Sequence, residues 1–143
     1  MSNKSAKISY HEIMVGNRAS FSLVITEKLV NNFSEISGDT NPLHVDEEYA
    51  SRTHFGHRIA HGMLAGALFS KLIGMHLPGK YSLYLSQTLY FHNPIWLGAA
   101  VSVCGEVTHK TDATKTVIIH TSAEDTKSKK LLVDGDALVK LFK

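Results

Sequence analysis

The chain has 143 residues, of which 43% are hydrophobic and 20% are charged, and its formal net charge is +2. These values are ordinary for a globular protein, and they argue against a disordered, collagen-like or coiled-coil chain. The basic residues are dispersed except in "KSKK" (127–130), which is more typical of a solvated turn than of a nucleic-acid site. We therefore expect a single domain over residues 1–143 without a nucleic-acid partner.

Cysteine content and the first residues indicate the compartment. The only cysteine, Cys104, cannot form an intramolecular disulfide, and its strand-like surroundings "AAVSVCGEV" favour a small buried thiol over a nucleophile. The start "MSNKSAKISYHEI" has no apolar run resembling a signal peptide. We expect a cytoplasmic protein that has no membrane partner.

The first half of the sequence predicts one strand and several helices around a bend. Residues 19–25 alternate loosely, as in a strand, and the apolar residues of 26–36 recur at helical spacing behind a threonine cap. The next segment, "SGDTNPLH" (37–44), is rich in residues that form tight turns. A short helix that begins with acidic residues (46–53) and a polar loop, "HFGHR" (54–58), are predicted to follow.

The second half predicts a buried helix followed by a sheet. Residues 59–75 are apolar on nearly every side, which is typical of a core helix, and they are too few to span a bilayer. Within this helix Gly62, Gly66 and Gly74 suggest close approach of another part of the chain. Four strand segments are then separated by turn residues: 81–94, 99–111, 114–125 and 131–142. We predict an α+β fold in which an antiparallel sheet curls around a single buried helix.

Asp39 and His44 are the first candidates for chemistry. They lie five positions apart, and Pro42 disfavours helix before it, so the two side chains can meet only across a bend. One interpretation is an aspartate that caps a turn beside an unrelated histidine; the other is a general acid/base pair. The spacing by itself leaves both interpretations open.

The segment "SGDTNPLHVD", followed after a gap by "RIAHGML", resembles the MaoC-like hydratases, specifically the (R)-specific enoyl-CoA hydratases that supply hydroxyacyl-CoA for polyhydroxyalkanoate synthesis. Residues 37–44 match that family's pattern at every position, and the similarity covers nearly the whole chain. The resemblance implies a hot dog fold, in which an antiparallel sheet wraps a long central helix. It also implies a homodimer with an acyl tunnel at or near the interface, and an unpaired edge strand gives a physical reason for a partner.

The resemblance further implies which residues form the site. Asp39 and His44 would hold and activate one water molecule for addition to trans-2-enoyl-CoA, with Asp39 as the base and His44 orienting the water and relaying the proton. The backbone amide of Gly62 would stabilise the charge on the thioester oxygen of the forming (R)-3-hydroxyacyl-CoA. Asn41 and Ser70 are the predicted substrate-binding residues. Coenzyme A belongs to the substrate, so no cofactor is expected.

Three further histidines, His54, His57 and His61, are spaced like metal ligands, but no acid or cysteine completes a recognisable site, so we expect no metal. The loop that carries them is better explained as a contact for the pantetheine or phosphates of coenzyme A. Alternative functions within the same fold are an acyl-CoA thioesterase and a 3-hydroxyacyl-acyl carrier protein dehydratase. A non-catalytic acyl-CoA-binding module is the alternative from a different class.

Overall fold

The computed structural model describes residues 4–143. Within this range the elements in chain order are β1 (Arg18–Val24), α1 (Glu27–Ser37), α2 (Pro42–Val45), α3 (Glu47–Ser51), α4 (Leu64–Lys71), a π-helical turn (Leu72–His76), β2 (Ser82–Gln87), β3 (Tyr90–Phe91), β4 (Ala100–Thr111), β5 (Thr116–Asp125) and β6 (Leu131–Leu141). None of the helices in residues 4–143 is long and apolar enough to cross a membrane.

The strands form one antiparallel sheet in the order β1, β4, β5, β6, β2, and β3 also pairs with β6. Buried and more exposed positions alternate along β4, β5 and β6, which is the pattern of a sheet with one face on a core. That buried face shares a hydrophobic cluster with α4, including Val101, Val103 and Val133 from the sheet and Leu68 and Phe69 from the helix. The predicted arrangement of a sheet curled around a central helix is confirmed.

The central helix begins at Leu64, five residues later than the sequence predicts. Ile59 instead forms an isolated bridge with Trp96, and the Ala60 N–H donates to the carbonyl of Ile95 at 2.7 Å. We call residues 59–60 the extended lead. Hydrophobicity alone could not distinguish the extended lead from the helix, because both contain apolar residues that pack inside. The extended lead delivers the chain to the start of α4, where the site lies.

One side of α4 remains exposed although its sequence is apolar. Met63, Ala67 and Ser70 lie one helical turn apart along this side, and Met63 is 58% exposed. The opposite side is buried in the core through Leu64, Ala65, Leu68 and Phe69. The prediction of a helix buried all round is therefore wrong for the single chain.

Only one of the three glycines that the sequence singles out makes a close approach. A Cβ atom on Gly62 would lie 2.8 Å from two ring carbons of Phe91, whereas one on Gly66 would reach Leu89 at an ordinary 3.5 Å. A Cβ atom on Gly74 would meet nothing within 4 Å, so the prediction of close approach is wrong there. Phe91 in β3 thus packs directly over the segment that leads into α4.

Candidate active site

The bend between α1 and α2 is built from the turn residues that the sequence predicts. Gly38 ends α1 in the left-handed conformation (φ 75°), and its N–H donates to the carbonyl of Ser34 at 3.0 Å. The Asp39 Oδ1 accepts the Asn41 N–H at 3.1 Å, and the Asn41 Oδ1 in turn accepts the Leu43 N–H at 3.0 Å, which caps α2. The backbone of the bend is therefore fixed by short-range hydrogen bonds.

Asp39 and His44 meet across this bend, together with His61 from the turn before α4. Each side chain contributes one carboxylate oxygen or ring nitrogen, and these three atoms all lie within 4.8 Å of one another. Two hydrogen bonds of about 2.8 Å can span up to about 5.6 Å, so one water molecule can bridge the Asp39 carboxylate and the His44 ring. The structure thus brings together the acid and the histidine that the sequence pairs.

The His44 ring is held in one tautomer by the backbone. Its Nδ1 lies 2.7 Å from the carbonyl oxygen of Ile59, and a carbonyl can only accept, so Nδ1 carries the hydrogen. In the neutral ring Nε2 therefore presents a lone pair that can accept a proton. The extended lead into α4 orients the histidine in this way.

His61 also belongs to this group, although the sequence analysis weighed it as a metal ligand, set that aside, and preferred a contact with coenzyme A. Its side chain is 2% exposed, and its Nε2 lies 2.9 Å from the Asp39 backbone oxygen. The ring packs against His44 with centroids 3.9 Å apart and is flanked by the Phe33 ring at 5.0 Å. The available signal was its place immediately before the candidate oxyanion glycine.

Arg58 is a second residue that the sequence analysis missed. It is 6% exposed, and its Nε donates to the His44 carbonyl oxygen at 2.6 Å. Its two Nη groups donate to the Glu27 carboxylate (2.9 Å) and to the Asn31 side-chain oxygen (2.7 Å), both in α1. The guanidinium therefore ties the segment that carries His44 to α1.

A largely apolar cavity of about 470 Å³ opens beside the pair, a size within the range of small-molecule sites. His44, Gly62, Met63 and Phe91 are among the residues that line it. The cavity thus joins one member of the acid–histidine pair to the start of α4 along a surface that suits an acyl chain.

The turn at the start of α4 offers unpaired backbone donors. Leu64 and Ala65 donate to the carbonyls of His61 and Gly62, each at 3.0 Å, whereas the N–H groups of Gly62 and Met63 make no hydrogen bond among the described residues. Unpaired N–H groups at a helix start carry the positive end of the helix dipole. They are suited to stabilising a developing oxyanion in the adjoining cavity.

The two predicted substrate-binding residues lie at the margin of this group. Ser70 is exposed on α4, and in residues 4–143 its hydroxyl makes no hydrogen bond to Asp39 or His44. Asn41 is exposed and uses its side-chain oxygen to cap α2. Their binding roles remain predictions.

The histidines of the polar loop lie apart from the pair. His57 Nδ1 is 2.8 Å from the Glu47 carboxylate on the surface, and the His54 ring packs on Phe55 with centroids 4.0 Å apart. Neither shares with His61 the metal-ligand set that the sequence spacing suggested. In the described part of the chain, the three side chains that come close enough to share a metal ion are those of Asp39, His44 and His61.

An antiparallel sheet wrapped around a central helix, with an acid and a histidine converging beside an apolar cavity, defines a hot dog fold with a candidate acid/base site. Residues 14–128 match the MaoC like domain family. The chain belongs to this family.

Three relatives are similar over most of their length. The chain is 37% identical over 130 residues to the (R)-specific enoyl-CoA hydratase of Rhodospirillum rubrum, which covers 91% of this chain and 89% of that protein. The structure of this chain resembles that of the unliganded R-hydratase of Pseudomonas aeruginosa, with a TM-score of 0.91 at 40% identity. The match covers 96% of this chain and 87% of that one. This chain also resembles the (R)-hydratase of Aeromonas caviae involved in PHA biosynthesis, with a TM-score of 0.87 at 40% identity, covering 90% and 97% of the two chains.

Proposed function

We propose that this protein is a hydro-lyase that adds water to trans-2-enoyl-CoA and forms (R)-3-hydroxyacyl-CoA. The observation that carries the proposal is the convergence of the Asp39 carboxylate and the His44 ring within 4.8 Å beside an apolar cavity. The names of the relatives, (R)-specific hydratases of 37% to 40% identity, support the substrate class and the stereochemistry.

The site residues can divide the reaction among them. A water molecule donates one hydrogen bond to the Asp39 carboxylate and a second hydrogen bond to Nε2 of His44. As the water oxygen bonds to the β-carbon, Asp39 takes its proton, and the π electrons of the double bond move toward the thioester oxygen. The Gly62 N–H stabilises the charge on that oxygen, and the proton then passes to the α-carbon on the same face.

The reaction needs no cofactor beyond the coenzyme A of the substrate, and the proposal uses none. The apolar wall formed by Met63 and Phe91 receives the acyl chain. Asn41 retains its side-chain N–H₂ as a donor to substrate, because only its oxygen caps α2. Coenzyme A is an intracellular metabolite, which together with the unpaired Cys104 supports a cytoplasmic location. One use of the product is as a precursor of polyhydroxyalkanoate.

The direct test follows the loss of enoyl absorbance from crotonyl-CoA with the parent, Asp39→Asn and His44→Ala. Asparagine can keep the turn that Asp39 makes with the Asn41 N–H, so the variant tests the carboxylate and not the bend. We expect each variant to lose about 10²-fold or more in kcat, and chiral separation to identify the (R)-product of the parent. Full activity in either variant would overturn the assignment.

The same experiment separates the alternatives. A thioesterase would release free coenzyme A, which a thiol reagent detects, and a carrier-protein dehydratase would prefer the carrier-bound substrate. A binding module would retain acyl-CoA without turnover.

We also propose that two copies associate through the edge formed by β2 and β3. Leu83, Leu85, Tyr90 and Phe91 on this edge are between 48% and 61% exposed, and the apolar side of α4 around Met63 is exposed as well. An apolar unpaired edge favours association with a partner. Sedimentation equilibrium of the parent and of Leu85→Lys tests this: we expect a dimer that the lysine weakens, and a monomeric parent would contradict it.

A further inference from the structure

We propose that His61 is a positioning residue that sets the distance between the water-activating carboxylate and the oxyanion donor. The inference rests on the proposed function, because those are the two groups it would hold apart. His61 lies in the turn before α4 and directly precedes Gly62, while Asp39 lies in the bend after α1. One side chain therefore connects the two halves of the reaction site.

The Asp39 carbonyl is the point of connection. It accepts the Ser34 hydroxyl at 2.6 Å and the His61 Nε2–H at 2.9 Å. Ser34 belongs to the helix that runs into the bend, so its bond fixes the bend only relative to α1. The His61 bond spans 22 residues and fixes the same peptide relative to the start of α4.

The chemistry of this bond determines the state of the His61 ring. The carbonyl can only accept, so Nε2 carries the hydrogen and Nδ1 is left with a lone pair. Nδ1 is buried and has no hydrogen-bond partner among the described residues. With its Nε2–H donated to this carbonyl, the His61 ring lies against the His44 ring with centroids 3.9 Å apart.

Substitutions at position 61 can distinguish a side chain that only fills space from one that acts through its hydrogen bond. The ring packs between His44 and Phe33, so phenylalanine can occupy much of the same volume. Phenylalanine has no donor for the Asp39 carbonyl, whereas the amide nitrogen of glutamine can reach about as far as Nε2 of histidine. The two variants therefore separate packing from positioning.

The experiment measures hydration of crotonyl-CoA by His61→Phe and His61→Gln, each compared with the parent. We expect Gln to keep kcat within about threefold, and Phe to lower kcat about 10- to 100-fold with KM changed less than about threefold. His109→Gln, at an exposed position on β4, is the matched control for the chemical change and is expected to behave like the parent.

Parental kcat in the Phe variant would overturn the inference, and so would a loss in the Gln variant equal to that in Phe. A parent that does not hydrate the substrate would instead overturn the proposed function. If the Phe variant does not fold, ¹⁵N resonances of the parental imidazoles decide the question. We expect the ring hydrogen of His61 to lie on Nε2, and an Nδ1–H tautomer would overturn the inference.

Discussion

The His44 ring lies against the His61 ring with centroids 3.9 Å apart and planes inclined by 31°. Each ring donates one N–H to a backbone carbonyl, that of Ile59 for His44 and that of Asp39 for His61. The backbone of two different segments therefore fixes the orientation of the two rings. The half-buried ring of His44 is the one that lines the cavity.

The tautomer of His44 can be tested with His44→Asn. Asparagine can place its amide N–H near the position of Nδ1 and keep the bond to Ile59, but it has no counterpart of Nε2. We expect kcat to fall about 10²- to 10⁴-fold while stability is largely kept. His44→Ala should be less stable than His44→Asn by about 1 kcal/mol in urea unfolding, because the carbonyl loses its donor. Equal stability of the two variants would count against this bond.

Arg58→Lys tests the link between α1 and the segment that carries His44. One ammonium group cannot replace three donations in different directions, so we expect a loss of about 1 to 3 kcal/mol in the free energy of unfolding, together with lower kcat. Arg52→Lys is the matched control, because Arg52 pairs with Glu48 on the surface and should change stability by less than about 0.5 kcal/mol. Similar losses in both variants would argue against a special role for Arg58.

Gly62→Ala probes the contact with Phe91. The new methyl group would lie 2.8 Å from two carbons of the ring and must displace it or the start of α4, so we expect kcat to fall about tenfold or more. Gly74→Ala meets no atom within 4 Å and should leave activity unchanged, with stability equal or slightly higher. If Gly62→Ala turned over substrate like the parent, neither the contact nor the approach of the thioester would require glycine.

Stability at low pH should depend on Tyr10 and Asp112. The Tyr10 hydroxyl donates to the Asp112 carboxylate at 2.6 Å, and this bond lowers the pKa of Asp112. The ionised form therefore stabilises the fold above the unfolded pKa of about 3.9, and the contribution is lost as pH falls through the lower folded pKa. We expect Tyr10→Phe to destabilise the protein at neutral pH and the difference to shrink in acid. Tyr81→Phe, which removes no side-chain hydrogen bond of the described residues, should show no such pH dependence.

Burial raises the pKa of Tyr10 to about 12, with a further contribution from Asp112. Because this folded pKa lies above the unfolded value of about 10, the contribution of the protonated phenol is lost as pH rises through the folded value. Urea unfolding of the parent and Tyr10→Phe across acid, neutral and alkaline pH measures both effects. A difference that is constant at every pH would contradict them.

We expect that the activity needs no metal ion, and that a metal ion which binds nitrogen ligands inhibits it. We expect dialysis against a chelator to leave hydration of crotonyl-CoA unchanged. Added Zn²⁺ should inhibit reversibly, because the Asp39 carboxylate and the open Nε2 of His44 are ligands that Zn²⁺ prefers, at the place proposed for the water. Mg²⁺, which prefers oxygen ligands, is the control and should not inhibit. Activity lost on chelation and restored by a metal would show that the mechanism is incomplete.

The sequence predicted those features that depend on near neighbours. The helix that ends at residue 37 and its Thr26 cap follow from local spacing, and so does the bend, because its hydrogen bonds join residues two to five apart. Arg58 and His61 were missed because their partners lie up to 31 and 22 residues away, and no local rule indicates such pairing. The late start of α4 was missed because an extended lead and a helix can be equally apolar.

The Asx turn at Asp39 bears on how relatives of this chain are recognised. An asparagine at that position would close the same turn, and the glycine, Asn41 and Pro42 would serve the backbone equally well around it. A relative that has lost catalysis can thus retain almost the entire segment, because these residues still form the bend. The carboxylate at position 39 and the imidazole at position 44 therefore distinguish catalytic from non-catalytic relatives better than the match over the whole segment does.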